Sequence, residues 1–219
     1  MPLDLEEQEQ LDQLKAFWQK YRNLITGVVT VALFTYAAYS GYQWWRNSQS
    51  VAAAQLFSTM VSALEKGDKG QAFRAADDLQ KDYGRTTYAA ISSLVASKLA
   101  SDGSDVEKSI AYLRWASANA SDDAYLAVAK LRLVGQLIEQ GAEKDFAEAD
   151  VILKQKPIIG FEGLWLERRG DWYLAQKKIV EARTSYEAAW TTLKKSPEFP
   201  EEARQLLKVK IDAVGGVAQ

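Results

Sequence analysis

The feature that most constrains this chain is a run of 23 residues without a charge, NLITGVVTVALFTYAAYSGYQWW, from Asn23 to Trp45. Wound as an α-helix at ~1.5 Å per residue it is about 35 Å long, more than the ~30 Å hydrocarbon core of a bilayer. Lys20 and Arg22 border one end and Arg46 the other. Trp18 and Tyr21 precede the run, and Tyr42, Trp44 and Trp45 close it. Such rings favour the membrane–water interface. The pattern predicts one transmembrane helix over residues 23–45. A cleaved signal peptide fits less well, because it needs a basic start and a shorter apolar stretch. Here the start carries Asp4, Glu6, Glu7, Glu9 and Asp12, and Trp44-Trp45-Arg46 lies just before the small-residue box Ser48-Gln49-Ser50.

The flanking cations give the helix a direction. Lys15, Lys20 and Arg22 lie on its N-terminal side, whereas Arg46 is followed by no Lys or Arg until Lys66. The positive-inside rule then places residues 1–22 in the cytoplasm and residues 46–219 across the membrane. Within residues 3–22, Leu11, Leu14, Phe17, Trp18 and Tyr21 recur at helical spacing. That segment reads either as a short amphipathic helix on the membrane surface or as a juxtamembrane extension of the membrane helix. Ala37 and Gly41, with Ser40 nearby, form a small-residue patch of the kind that lets a second membrane helix approach closely.

Composition removes several function classes from the rest of the chain. It has no cysteine and no histidine among its 219 residues. There is thus no disulfide, no thiolate nucleophile and no Cys or His metal ligand, and the commonest general base is missing. The formal net charge is -2 with no basic stripe, which argues against nucleic acid as a partner. Adjacent carboxylates occur at Asp77-Asp78 and Glu201-Glu202, but neighbours on a helix do not face each other. No catalytic residue, metal, cofactor or small-molecule substrate is expected, and the chain is not expected to be an enzyme.

From Ser48 onward the sequence reads as amphipathic helices of 12–18 residues, broken at Gly67-Asp68-Lys69-Gly70, Asp102-Gly103-Ser104-Asp105, Ser121-Asp122-Asp123, Gly141, Pro157, Lys177-Lys178 and Ser196-Pro197. Ser, Asp and Gly cap helices or permit the turn. Prolines are confined to Pro2, Pro157, Pro197 and Pro200, and nothing alternates with period two. The fold class is therefore all-α: one N-terminal transmembrane helix followed by a stack of helical hairpins. The hairpin spacing matches a tetratricopeptide-like repeat, ~34 residues of helix–turn–helix in which small residues allow close crossing. Leu164–Leu193 fits best, with Leu166, Gly170 and Tyr173 in its first helix and Ala182, Tyr186 and Ala189 in its second; Arg169 stands where a Leu is usual. Leu126–Leu153 fits through Leu131, Val134, Gly135 and Ile138, with its second helix aligned on either Ala147/Val151 or Ala149/Leu153. Tyr88–Ala118 is a third unit, and Val51–Leu64 with Gln71–Leu79 a degenerate fourth. A last helix bearing Ala203, Leu207, Ile211 and Val214 would close the stack.

Repeat stacks offer a concave face to protein partners. By repeat register that face includes Arg132, Gln136 and Glu139 in one unit, and Leu164, Glu167, Asp171 and Leu174 in the next. It is mixed in charge and lacks paired Lys and Asn residues, so recognition of a terminal carboxylate is not expected. Trp115, Trp165, Trp172 and Trp190 lie in the repeats and read mainly as core.

The order of parts, together with Trp44-Trp45-Arg46, Glu107-Lys108, Leu131-Arg132-Leu133, Arg169-Gly170-Asp171, Ala182-Arg183 and Glu187-Ala188, resembles the YfgM family of bacterial inner-membrane proteins. The resemblance covers nearly the whole chain. It implies an ancillary subunit of the SecYEG translocon with a cytoplasmic N-terminus and a periplasmic repeat domain. It also implies partnership with a membrane-anchored, PpiD-like periplasmic chaperone in handing on newly secreted proteins. A scaffold for outer-membrane assembly or for stress-signalling regulation is the alternative, because fold alone does not fix function.

Overall fold

The computed structural model describes residues 5–195 and 199–217. Among them all regular structure is helical: α1 (Leu5–Glu65), α2 (Lys69–Tyr83), α3 (Thr87–Asp102), α4 (Val106–Asn119), α5 (Asp123–Gln140), α6 (Glu143–Leu153), α7 (Glu162–Ala175), α8 (Ile179–Leu193) and α9 (Glu201–Ala213). The chain divides into two compact units, residues 1–49 and 50–219.

In the first unit α1 runs without interruption through the juxtamembrane segment and the apolar run. No break separates residues 5–22 from the apolar run; residues 3 and 4 lie outside the described residues. The physical reason is the sequence itself, which has no Pro between Leu3 and Lys156 and only Gly27 before Gly41. This is one helix long and apolar enough to cross a membrane, and no part of its apolar window is buried. Val51–Leu64, read from sequence as a helix of its own, is the last part of α1. The helix ends where Gly67 adopts the left-handed conformation (φ 73°), the glycine terminator expected of a C-terminus.

The second unit stacks hairpins. Its turns close as their residues predict. Asp68 accepts from the Gln71 N–H at 2.9 Å, Asp105 from Lys108 at 3.1 Å and Asp122 from Ala124 at 3.0 Å, each cap worth ~1 kcal/mol. Gly141 ends α5 in the left-handed region at φ 70°. The expected Ser196-Pro197 break lies outside the described residues. The strong helix–helix contacts all join elements adjacent or next-but-one in the chain, which is the signature of a repeat stack. The end of α1 and α2 share a core of Met60, Ala63, Ala72, Ala75 and Ala76, all at 3% exposure or less. The middle of the unit is built around Leu113, Leu133, Val134, Leu137, Leu153 and Trp165. The last core gathers Ala182, Tyr186, Ala189, Trp190, Leu207 and Ile211.

The register of the middle hairpin, open in the sequence, is settled by burial: Ala149 and Leu153 are buried, while Ala147 and Val151 are exposed. In the last hairpin, Gly163 and Gly170 of α7 face α8. A Cβ added at Gly163 would lie 2.4 Å from Leu193, and one at Gly170 2.4 Å from the ring of Tyr186. Glycine is required there for close approach and not for a turn. Arg169, the departure from the repeat pattern, replaces a packing contact with a polar one: its guanidinium donates to the Leu153 carbonyl at 2.7 Å, which also accepts from the Trp165 indole at 3.2 Å. Both bonds satisfy the carbonyl end of α6, where helical partners run out. Trp165 and Trp190 are buried and Trp115 and Trp172 partly so, so the repeat tryptophans are indeed core. The terminal helix α9 lies against α8: the Arg183 Nε donates to the Val214 carbonyl at 2.8 Å, and Lys208 sits 5.1 Å from the Trp190 ring centre.

Candidate protein-interaction face

The seven residues assigned from sequence to the concave face separate into two groups. Arg132, Gln136 and Glu139 project from α5 at helical spacing and line one notch of about 200 Å³. The other wall brings residues that the sequence reading did not assign to this face: Ser97, Lys98 and Ser101 from α3, Ser109 and Leu113 from α4, and Arg168 from α7. Ser97 and Ser101 stand four residues apart on α3, as Arg132 and Gln136 do on α5. The same repeat register, carried one unit further toward the N-terminus, would have found them.

The notch is mixed in character, polar side chains standing beside Leu113 and Gly135. Lys98 pairs with Asp102 on the same helix, and Arg168 pairs with Asp171 at 2.9 Å. Gln136 donates from Nε2 to Glu139 at 3.3 Å, which turns its carbonyl oxygen away from that partner. Yet Gln136 Oε1 and Arg168 Nε are buried with no hydrogen-bond partner. A buried polar atom left unpaired costs ~1–3 kcal/mol. Gly135 lies under the Arg168 guanidinium, where a Cβ would come within 3.3 Å of Nη1.

On α7 the picture differs. Glu167 and Asp171 turn toward α9, and Lys210 reaches both, at 2.7 and 2.8 Å. The Tyr186 hydroxyl donates to the same Asp171 oxygen at 2.8 Å. Burial, with the negative charge of Asp171 next to it, pushes the Tyr186 hydroxyl well above its ordinary range. The two carboxylates are engaged inside the chain, and their surroundings fasten α9 to α7. Leu164 is half-buried between the middle and last cores, and Leu174 is 38% exposed. A second tyrosine–carboxylate pair, Tyr112 to Asp77 at 2.6 Å, ties α4 to α2. Arg114 on α4 grips Glu148 on α6 with two bonds at 2.8 and 2.6 Å.

In the first unit, Ala37 and Gly41 are exposed on α1, and a Cβ at Gly41 would meet nothing within 4 Å. Among the described residues no cluster of His, Cys, Asp or Glu is arranged to hold a metal ion.

Comparison with known proteins agrees with this architecture. A family model described as a tetratricopeptide repeat-like domain matches residues 15–216. The chain is similar to a protein of Neisseria gonorrhoeae named ancillary SecYEG translocon subunit, with 30% identity over 215 residues, 98% of this chain and all of that protein. Proteins of the same name in Escherichia coli (28% over 83% of this chain and 86% of the relative) and Haemophilus influenzae (21% over 86% and 91%) are also similar. No solved structure matches. With a tetratricopeptide repeat-like model over residues 15–216 and a full-length relative at 30% identity, this chain belongs to the YfgM family of ancillary SecYEG translocon subunits.

Proposed function

We propose that this protein is a single-pass inner-membrane scaffold that associates with the Sec translocon and connects newly secreted proteins with periplasmic chaperones. The observation that carries the reading is the full-length match to relatives named as translocon subunits, on a chain with one apolar helix and a repeat domain. In this reading residues 1–22 lie in the cytoplasm, 23–45 span the membrane and 46–219 form the periplasmic domain. The excess of Lys and Arg before the span supports that direction. Ala37 and Gly41 are the contact offered to a neighbouring membrane helix, as small residues permit. The notch around Arg132, Gln136 and Glu139 is the contact offered to a PpiD-like chaperone or its client. Glu167 and Asp171 act indirectly, by holding α9 in place.

Two experiments test this. Photoreactive residues placed at 37, 41, 132 and 139 in living cells should capture translocon subunits from the first pair and chaperones or clients from the second. Capture of neither class, or capture only of outer-membrane assembly or signalling proteins, would sink the proposal. Orientation is read from single cysteines at Leu11 and Val51 in this otherwise cysteine-free chain. A membrane-impermeant maleimide should label the Val51→Cys protein from the periplasm and spare Leu11→Cys; the reverse result would overturn the topology.

A further inference from the structure

Before residue 23, Leu11, Leu14, Trp18 and Tyr21 follow one another at intervals of three and four residues, so they form one row along α1. Leu14 is 64% exposed and Trp18 55%; with Phe17 and Ile25 they wall an apolar cleft of about 400 Å³ on the helix surface. Charge stays off the row: Glu9, Asp12 and Lys20 lie elsewhere around the helix, and Lys15 at its margin pairs with Asp12 at 3.2 Å. The bilayer cannot cover all of it. No Pro or Gly precedes Gly27 in α1 to bend the helix. Leu11 stands twelve residues before Asn23, ~18 Å along the helix, whereas the headgroup layer is only ~5–8 Å deep on each side. Leu11 and Leu14 are therefore left in water.

The same row runs on through Ile25, Val28 and Ala32 to Tyr36, Tyr39 and Gln43, again at intervals of three and four. Here it is the polar side of the helix. Tyr36 and Tyr39 carry hydroxyls within the span, while the opposite side holds Phe34, Ala37, Ala38 and Gly41. Polar side chains inside a membrane face another helix and not lipid. One face of α1 is thus wrong for its solvent twice, too apolar for water and too polar for hydrocarbon. Whatever covers it must be a helix that changes character at the same height. A second copy of this chain does so by construction, because its anchor sets its direction and depth. It also completes the polar pair. Gln43 Nε2 donates to the Tyr39 hydroxyl oxygen at 2.9 Å, which leaves Tyr39 one O–H to donate and Gln43 a carbonyl oxygen to accept. Both side chains are exposed, and across a two-fold axis each copy offers what the other lacks.

We propose that this protein pairs with a second copy of itself through α1, the two helices parallel. Leu11, Leu14, Trp18 and Tyr21 pack against their counterparts before the span, and Tyr39 donates to Gln43 of the second copy within it. The inference rests on the membrane-spanning reading above. Ala37 and Gly41 lie ~160° around the helix from Tyr39, so pairing leaves them open to a translocon helix.

The chain has no cysteine, so single cysteines in the full protein report the paired face in native membranes. Oxidation with copper-phenanthroline should give disulfide-linked dimers from Leu14→Cys, Trp18→Cys, Val28→Cys and Tyr39→Cys, and little from Ala16→Cys, Gln19→Cys or Phe34→Cys. Two differently tagged copies should co-purify in detergent. Changing both Leu11→Glu and Leu14→Glu, exposed positions outside the repeat core, should cut that recovery at least ~10-fold, the worth of burying one leucine. Gln43→Leu should cut it ~3-fold, the usual worth of a hydrogen bond between membrane helices. Dimers of equal yield all round the helix, dimers strongest from Ala37→Cys or Gly41→Cys, row cysteines that link only to another protein, or recovery unmoved by the two glutamates would each overturn the pairing. Maleimide labelling separates this from the reading on which it rests. Labelling of Leu11→Cys and Val51→Cys from the same side overturns the span itself. Labelling from opposite sides with no dimers leaves the scaffold standing and overturns this inference alone.

Discussion

The packing of α7 on α8 makes a sharp prediction at Gly170. Replacing it by Ala puts a methyl carbon 2.4 Å from two ring carbons of Tyr186 and 3.0 Å from a third. Carbon atoms in contact sit ~3.5–4.0 Å apart, so the ring or the helix must move by at least ~1 Å. The ring cannot move freely: Tyr186 is fully buried and its hydroxyl is tied to Asp171 at 2.8 Å. Overpacking of this kind costs ~1–3 kcal/mol. Loosening the bond to a charged Asp171 adds up to ~1.5–3 kcal/mol. Against this, Ala is a better helix former than Gly by ~1 kcal/mol. The net expectation for Gly170→Ala is a loss of about 1–3 kcal/mol. Gly70 is the control, since a Cβ there meets only an Asp68 carboxylate oxygen at 3.4 Å; Gly70→Ala should be neutral or gain a few tenths of a kcal/mol. The assay is urea unfolding of the full chain in detergent, followed by tryptophan emission, with Trp165, Trp172 and Trp190 around this hairpin. Tyr186→Leu in the Gly170→Ala background should recover part of the loss, giving a favourable coupling of ~0.5–3 kcal/mol in the double-mutant cycle. A Gly170→Ala protein as stable as the parent, or additive single changes, would refute the close-crossing account of this hairpin.

Other outcomes follow from the same geometry. Lys210→Met leaves Glu167 without its cation and Asp171 with Arg168 alone, each carboxylate side chain being under 20% exposed. We expect ~1–3 kcal/mol of destabilisation, with faster proteolysis at α9 before the other helices. Tyr186 and Tyr112 are both raised above the ordinary tyrosine value of 10.0, chiefly by burial. Each is neutral when folded where it would ionise unfolded, so its contribution is complete below pH ~10 and is lost as pH climbs toward the raised value. Stability should fall by up to ~1.4 kcal/mol per pH unit per tyrosine above pH ~10, and Tyr186→Phe should flatten that slope in alkaline unfolding curves. Ala149→Leu should cost ~1–3 kcal/mol by overpacking α6, whereas Ala147→Leu, on its exposed side, should stay within ~0.5 kcal/mol; equal effects in thermal melts would contradict the register of that hairpin.

Hydrophobic spacing and turn chemistry made most of the fold legible. The Asp and Gly residues at the breaks fix helix ends locally, so each hairpin could be read from its own residues. Register was harder in α6, because Ala147 and Ala149 are alike in type and only the packing of Leu153 against Trp165 distinguishes them. Val51–Leu64, read as a helix of its own, is continuous with the apolar run for a related reason: nothing between Tyr42 and Lys66 stops a helix. On α5, periodicity placed Arg132, Gln136 and Glu139 on one side of the helix, and they line one notch. It could not show that Glu167 and Asp171 face Lys210, since that contact spans 43 and 39 residues of sequence and depends on how α9 folds back. Arg168 was missed because it is adjacent in sequence to Glu167 yet lines a different surface.

The neighbour-to-neighbour packing of the hairpins also bears on how such a domain comes into being. Its strong contacts reach no further than the next-but-one helix, so each hairpin needs only the one before it to bury its apolar face. Chains with such local contacts fold quickly and need not wait for their ends. A chain synthesised from its N-terminus can therefore harden hairpin by hairpin in the order in which it emerges. The last contact to close is that of Lys210 with Glu167 and Asp171, a bolt that slides home only when synthesis is nearly complete.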